Sequence, residues 1–146
     1  WRNDFNSRKH FRDPEPVDMD QHRRWLHDVL INPQQLLLIF EDSLARRVAA
    51  IRFDISTTQE RIEAEVSVTV DPDLQGKGWG FLALRASEEY LCKHSSVASI
   101  SAFVFQDNAR SIQLFSKAGY AMTNGNDDQG VWLKKDMTAS SSCEVK

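Results

Sequence analysis

The sequence predicts a mixed α/β fold of the α+β kind: a mostly antiparallel sheet flanked by helices, with one pair of strands running parallel. Three observations carry that expectation. Segments of strand character follow one another without an intervening helix at 35-QLLLIFE-41, 47-RVAAIRFDI-55 and 62-IEAEVSVTV-70. A helical segment, 81-FLALRASEEYLCKH-94, then separates the third strand from a fourth, 97-VASISAFVF-105. A crossover of that kind lays the strands on either side of it parallel. At the junction of the third strand and the crossover helix stands 74-LQGKGWG-80, with three glycines at alternate positions.

The elements follow in order. The first twenty residues are polar and charged. From Met19 to Leu30 the pattern turns helical, with Trp25, Leu26, Val29 and Leu30 on one side. Asp18 or Asp20 is placed to cap that helix, and Asn32-Pro33 ends it. The run 35–41 is short and apolar, the pattern of a strand buried on both faces. A polar turn, 41-EDSLAR-46, leads into the second strand. In the third, Ile62, Ala64, Val66, Val68 and Val70 alternate with Glu63, Glu65, Ser67 and Thr69, so the three strands form a meander. Asp71-Pro72 stops it. The crossover helix repeats apolar residues at Leu82, Leu84, Ala86 and Leu91. Asn108 opens a last helix, 109-ARSIQLFSKAG-119, with Gly119 as its C-terminal cap. Tyr120 to Lys135 reads as a hairpin around 124-NGNDDQG-130. Residues 1–137 form a single domain on this reading, and 138-TASSSCEVK-146 a flexible polar tail.

Composition narrows the function classes. A chain of 146 residues with 41% hydrophobic and 27% charged residues can bury a real core. Its net charge of −3 offers no basic field, so nucleic acid is not an expected partner. No apolar run approaches the roughly 20 residues that span a bilayer, so no membrane role is expected either. Cys92 and Cys143 match neither a disulfide framework nor a metal spacing, which makes reduced thiols and the cytoplasm the default. His22 and His27 are five apart, not the four that would align them as ligands on one helix face, and no metal is expected.

The glycine run is the chemical signal. Glycines at a strand-to-helix junction let the backbone turn sharply and leave amide N–H groups facing outward. The first turn of the helix adds unpaired N–H groups and a positive dipole end. Together they suit a phosphate or pyrophosphate, and Lys77 adds a charge at the rim. A Walker A loop would need glycine at position 71, where Asp71 stands; the dinucleotide fingerprint would need it at 81, where Phe81 stands.

Gln75-Gly76-Lys77-Gly78-Trp79-Gly80 resembles the Q/R-x-x-G-x-G/A signature of the GNAT superfamily of acyl-CoA N-acyltransferases. Val68-Thr69-Val70-Asp71-Pro72 precedes it as that family's fourth strand does. The stretch 108-NARSIQLFSKAGY-120 is similar to the family's later motif, N-x-x-S/A-x-x-x-F/Y-x-x-x-G-F/Y. The element order fits if the family's first strand lies before Trp1. The resemblance spans about residues 17 to 135. It implies acetyl-CoA as co-substrate. The amides around Gln75, Gly76, Lys77, Gly78 and Gly80 would hold its pyrophosphate, and the backbone of Val68 and Val70 its pantetheine arm. Asn108 and Ser111 would meet the arm from the far side. It also implies that the family's strands 4 and 5 splay apart, leaving main-chain groups free. Asn108 also reads as an ordinary N-cap and Ser111 as a solvated helix residue.

Direct transfer needs a base for the amine and a donor for the oxyanion. Glu65 is the candidate base, ahead of Glu63 on the same strand face; either could instead pair with Arg52 or Arg61. The amide of Val70 or a neighbour would polarise the thioester. Phe115 stands where many members have a tyrosine acid, and phenylalanine has no proton to give. A covalent route through Cys92 lacks a histidine placed to activate it. Trp1-Arg2-Asn3-Asp4 and His22-Arg23-Arg24-Trp25 look like the branch that acetylates amino sugars on nucleotide carriers, close to the ribosomal-protein N-terminal acetyltransferases. Arg2 and Arg8 would meet a diphosphate, and Trp1 or Trp25 a base or sugar. Against this, Trp25 reads as core and the arginines as solvated. The resulting expectation is an N-acetyltransferase for a small-molecule amine. The alternatives are a protein N-terminus as acceptor, or a coenzyme-binding module without turnover. The family also makes a homodimer an option.

Overall fold

The computed structural model describes residues 1–138; the polar tail expected beyond them lies outside the described residues. A short turn α1 (Phe5–Arg8) and helix α2 (Met19–Ile31) precede strands β1 (Gln35–Glu41), β2 (Arg47–Thr58) and β3 (Arg61–Val70). A 3-10 turn (Pro72–Leu74) and the crossover helix α3 (Trp79–His94) lead to β4 (Ser99–Phe105). Helix α4 (Ala109–Lys117) and the hairpin β5 (Ala121–Asp127) and β6 (Gly130–Asp136) complete the chain. The strands form one six-stranded sheet in the order β1-β2-β3-β4-β6-β5. Among the described residues only β3 and β4 run parallel. Among the described residues no helix is long and apolar enough to cross a membrane.

Local chemistry sets the element ends. The Asp18 carboxylate accepts the Gln21 amide and caps α2. Asp42 accepts the amides of Leu44 and Arg46 and the Arg46 guanidinium, which fixes the first hairpin. Gly119, at φ +94°, takes the left-handed position after α4, and Tyr120 donates its amide back to the Phe115 carbonyl.

The core lies between the sheet and the α3–α4 layer. Ile51 and Phe53 of β2, Leu84 and Leu91 of α3, Ile100 of β4 and Leu133 of β6 are fully buried there. Each contributes about 1.5–3 kcal/mol of transfer free energy.

Two expectations need correction. β1 is an edge strand and only half-buried, because a strand with a single neighbour keeps one edge in water. The buried face of α3 is Ala83, Leu84, Ser87, Glu88 and Leu91, whereas Leu82 and Ala86 are exposed. The apolar pattern misleads because a charge sits on the inner face. Glu88 is tolerated there because Lys135 Nζ donates to it at 2.7 Å and the Tyr120 hydroxyl at 3.0 Å. Lys135 also donates to the Ala118 carbonyl. This buried cluster ties α3, the end of α4 and β6 together. Burial, reinforced by the Glu88 charge, pushes the Tyr120 hydroxyl above its ordinary range.

Candidate active site

The site begins with a fork in the sheet. β3 and β4 pair at only three positions, Glu63 with Ser99, Ala64 with Ile100 and Glu65 with Ser101. Beyond them β3 stays paired with β2 as far as Val70, and β4 with β6 as far as Phe105. The two strands therefore part, and a gap opens between them. Alternation of the backbone decides what faces it. Asp71 donates its amide to Val48 on β2, and Ile62 accepts the Ala98 amide from the β4 side. With period two, the Val66 amide closes the last pair by donating to the Ser101 carbonyl, and the Val66 carbonyl with the amides and carbonyls of Val68 and Val70 points into the gap. From Val70 to Val66 that edge is about 13 Å long at roughly 3.3 Å per residue.

The glycine loop closes the wide end of the gap. Gly76 and Gly78 have φ of +77° and +86°, and a Cβ at either would meet nothing within 4 Å. Glycine is needed there for the backbone conformation, and the space in front is open. Gly78 caps α3 with no side-chain hydrogen bond, so the amides of the first helical turn, residues 79–81, have no intrahelical acceptor. Gly80 serves packing instead. A Cβ there would come within 3.3 Å of Val70 Cγ2 and 3.5 Å of Leu114 Cδ2, so its absence lets α3 press against β3 and α4. The Gln75 side chain binds the parts together. It donates to Ser7 Oγ at 3.0 Å and, less closely, to the Val70 carbonyl at 3.4 Å, and it accepts from Arg110 of α4 at 3.1 Å.

Loop, gap and α4 line one open groove of about 1660 Å³. It brings together Glu65, Val68, Val70, Gln75, Gly76, Gly78, Gly80, Asn108 and Ser111. Lys77 is exposed and lies outside the groove lining. Asn108 does cap α4, its side chain accepting the Ser111 amide at 3.3 Å. Phe115 is buried at the groove wall, its ring edge-on to Tyr120.

Glu65 stands at the vertex of the fork, opposite Asp54 of β2. Its partner is neither Arg52 nor Arg61 but Arg12, whose Nη2 is 2.8 Å from Oε1. The Arg12 guanidinium lies over the rings of Phe103 at 4.9 Å and Trp132 at 5.5 Å. Arg52 pairs with Asp54 at 3.1 Å and lies over Trp25. Glu63 is held by Lys134 at 3.2 Å and by the Ser99 hydroxyl. The hydrogen bond from Lys134 keeps its carboxyl below the usual range. Asp54, Glu63, Glu65, Ser101 and Trp132 line a recess of about 280 Å³ beside the vertex.

Residues 1–17 lie across the groove as a strap. Asn3 closes it by exchanging two hydrogen bonds with the backbone of Val17. Arg2 is used within the strap, donating to the Asp13 carbonyl and lying over Phe11. Arg8 lies over Phe5, away from the groove lining. Trp25 is not core; it is 38% exposed, stacks on His22 and lines the groove with Trp1. Cys92 is disulfide-bonded, contrary to the reduced thiols expected, and so has no thiolate for a covalent route. The sequence reading missed Arg12, Asp54, Phe103 and Trp132. Phe103 carried a signal, since residues 99, 101, 103 and 105 alternate onto the Glu65 face, and Trp132 is its cross-strand partner on β6. Arg12 sits in a charged stretch without periodicity and carried none.

A mixed sheet forked at its one parallel pair, with a glycine loop at the open end, defines the class of the GNAT acyltransferases. The chain belongs to the acetyltransferase (GNAT) family, whose model matches residues 2–120. A Bacillus subtilis (strain 168) protein named "Putative phosphinothricin acetyltransferase YwnH" is 29% identical over 111 residues, 75% of this chain and 66% of that protein, just under two thirds of its length. The fold is shared with spermidine N-acetyltransferase from Vibrio cholerae, solved with CoA and spermine. That match has a TM-score of 0.80 and 16% identity, covering 93% of this chain and 85% of that one. It is shared too with Campylobacter jejuni N-acetyltransferase PseH, solved with acetyl coenzyme A, at a TM-score of 0.69 and 19% identity over 82% of this chain and 80% of that one.

Proposed function

We propose that this chain transfers the acetyl group of acetyl-CoA directly to the primary amine of a small molecule. The fork carries the reading: pairing stops at Glu65 and Ser101, which frees the edge from the Val66 carbonyl to Val70 beside a glycine loop. That edge suits an amide-bearing arm added as a strand, and the loop suits a pyrophosphate. Acetyl-CoA would supply an acetyl group activated as a thioester. In the transfer a C–N bond forms, the C–S bond breaks, and CoA leaves as thiol or thiolate.

The chain's own groups would divide the work. Gln75, Gly76, Gly78 and Gly80, with Lys77 at the rim, hold the phosphates. The gap-facing amides of β3 polarise the thioester carbonyl. That of Val68 is nearer the vertex than that of Val70. Glu65 takes the amine's proton. Asn108 and Ser111 border the arm from α4.

The finer reading, an amino sugar on a nucleotide carrier, draws support from Trp1 and Trp25 in the groove wall, while Arg2 and Arg8 are engaged within the strap. A second class of reading, a coenzyme-binding module without turnover, draws on Phe115. Titrating acetyl-CoA by calorimetry and following CoA release with amines, peptides and nucleotide amino sugars separates these. Micromolar binding with amine-dependent release is the expected result. Binding without release from any acceptor would favour the module, and absence of binding would sink the proposal.

A further inference from the structure

We propose that Arg12 selects the acceptor by taking an anionic group carried next to its amine, as in an α-amino acid; this rests on the acetyltransferase reading above. The acceptor side of the fork is already charge-balanced. Asp54 has Arg52 at 3.1 Å, Glu63 has Lys134 at 3.2 Å and Glu65 has Arg12 at 2.8 Å. A polycationic acceptor would meet no free carboxylate among these three and would have to displace a bound cation from each. A zwitterion needs one pair to open. Its ammonium takes the guanidinium's place on Glu65, its anion takes the carboxylate's place on Arg12, and the local charge is unchanged.

Of the three pairs, Arg12–Glu65 is the one suited to open. Arg52 and Asp54 share a strand, and Lys134 and Glu63 both sit within the sheet. Arg12 comes from the strap, outside helix and strand, and its side chain is 59% exposed. Its movement breaks no ladder hydrogen bond. Phe103 and Trp132 support the face of the guanidinium. The edge stays available for hydrogen bonds, and a planar guanidinium fork matches a carboxylate in two-point fashion. Glu65 marks the vertex where the gap begins. An acceptor seated between the two residues therefore has its amine at the fork and its anion turned toward the strap.

The test uses the full chain with saturating acetyl-CoA and follows CoA thiol release. The acceptors are L-amino acids, their carboxamides, a diamine and a nucleotide-linked amino sugar. Wild type is expected to prefer an amino acid over its carboxamide by tenfold or more in kcat/KM. In Arg12→Ala that ratio is expected to fall to near one, a loss on the order of 10- to 100-fold for one charge-assisted contact. In Arg12→Glu the preference is expected to pass to the diamine, a change that lost packing alone would not produce. An unchanged ratio in Arg12→Ala, or a wild-type preference for the diamine or the nucleotide sugar, overturns the inference. Calorimetry on the same samples separates the levels. Acetyl-CoA binding with the wrong acceptors turned over removes this inference alone, whereas no binding removes the reading beneath it.

Discussion

Position 78 allows a test of the loop in which shape is held constant and charge alone changes. Gly78 has φ +86° and open space where a Cβ would go. Asn and Asp both enter that left-handed region more readily than other side-chain residues, and they are nearly isosteric. Gly78→Asn and Gly78→Asp should therefore share the same backbone cost, about 1 kcal/mol. That lowers Tm by about 2–4 °C in a chain of this size. They differ by one negative charge facing the proposed phosphate site. Two unit charges about 5.5 Å apart at an effective dielectric of about 20 repel by roughly 3 kcal/mol, or about 150-fold in Kd. Acetyl-CoA titrated calorimetrically should bind Gly78→Asp about 100-fold more weakly than Gly78→Asn, and the gap should narrow as salt rises. Equal affinities in the two variants, with matching Tm values, would refute the assignment of the loop to phosphate.

Other consequences are as direct. Removing Glu88 as Glu88→Ala leaves Lys135 charged in the core without its counter-ion, with the Ala118 carbonyl still accepting from it, a loss of about 3–5 kcal/mol that should appear as a Tm drop of about 10 °C or more. A denaturant melt with an unchanged midpoint would contradict that role. The Glu63 carboxyl is held below its usual 4.5 chiefly by the Lys134 hydrogen bond. Its contribution to stability is thus whole above pH 4.5 and lost as pH falls through the lowered folded-state value. Wild type and Lys134→Gln should differ in Tm at pH 7, modestly because the pair is half-exposed, and converge as pH falls from 4.5 through the lowered folded-state value. Finally, Glu65→Gln should lower kcat by about 10²–10⁴, while Phe115→Tyr should raise it by less than tenfold. Steady-state kinetics giving the opposite ordering would displace Glu65 as the base.

Much of this was legible because the relevant signals are local. The meander shows in the period-two run at 62–70, and the crossover and the loop show as a glycine cluster between strand and helix. The fork is a different matter. It is an absence of pairing between Val66–Val70 and Ala102–Phe105, and each strand looks complete by itself. Only the family resemblance implied it. The buried face of α3 was misread because Glu88 looks like a surface residue until Lys135, forty-seven positions on, is brought to it. Arg12 was invisible for a similar reason: its partner Glu65 is fifty-three positions away, and the strap that carries it has neither helix nor strand periodicity.

The missing tyrosine bears on whether the site can turn over at all, and the two proton transfers are not equal in weight. A primary alkylamine resembling that of lysine has a pKa near 10.4, so freeing its lone pair at pH 7 costs about 4–5 kcal/mol. A departing thiolate is less basic than that amine: a thiol like that of cysteine, with a pKa near 8.5, costs about 2 kcal/mol at pH 7, and the plain alkyl thiol of the coenzyme somewhat more. A base at the amine therefore has more to contribute than an acid at the sulfur. Tyr120 does not replace the absent acid, since its hydroxyl is buried and committed to Glu88. Ser111 lines the groove but is a far weaker acid than a phenol. On the roles proposed above, a site with Glu65 at the vertex of the fork and Phe115 on α4 keeps the group with the larger share of the barrier. Phe115 is on these grounds an argument for slower thiol release, not for a domain that binds coenzyme and stops there.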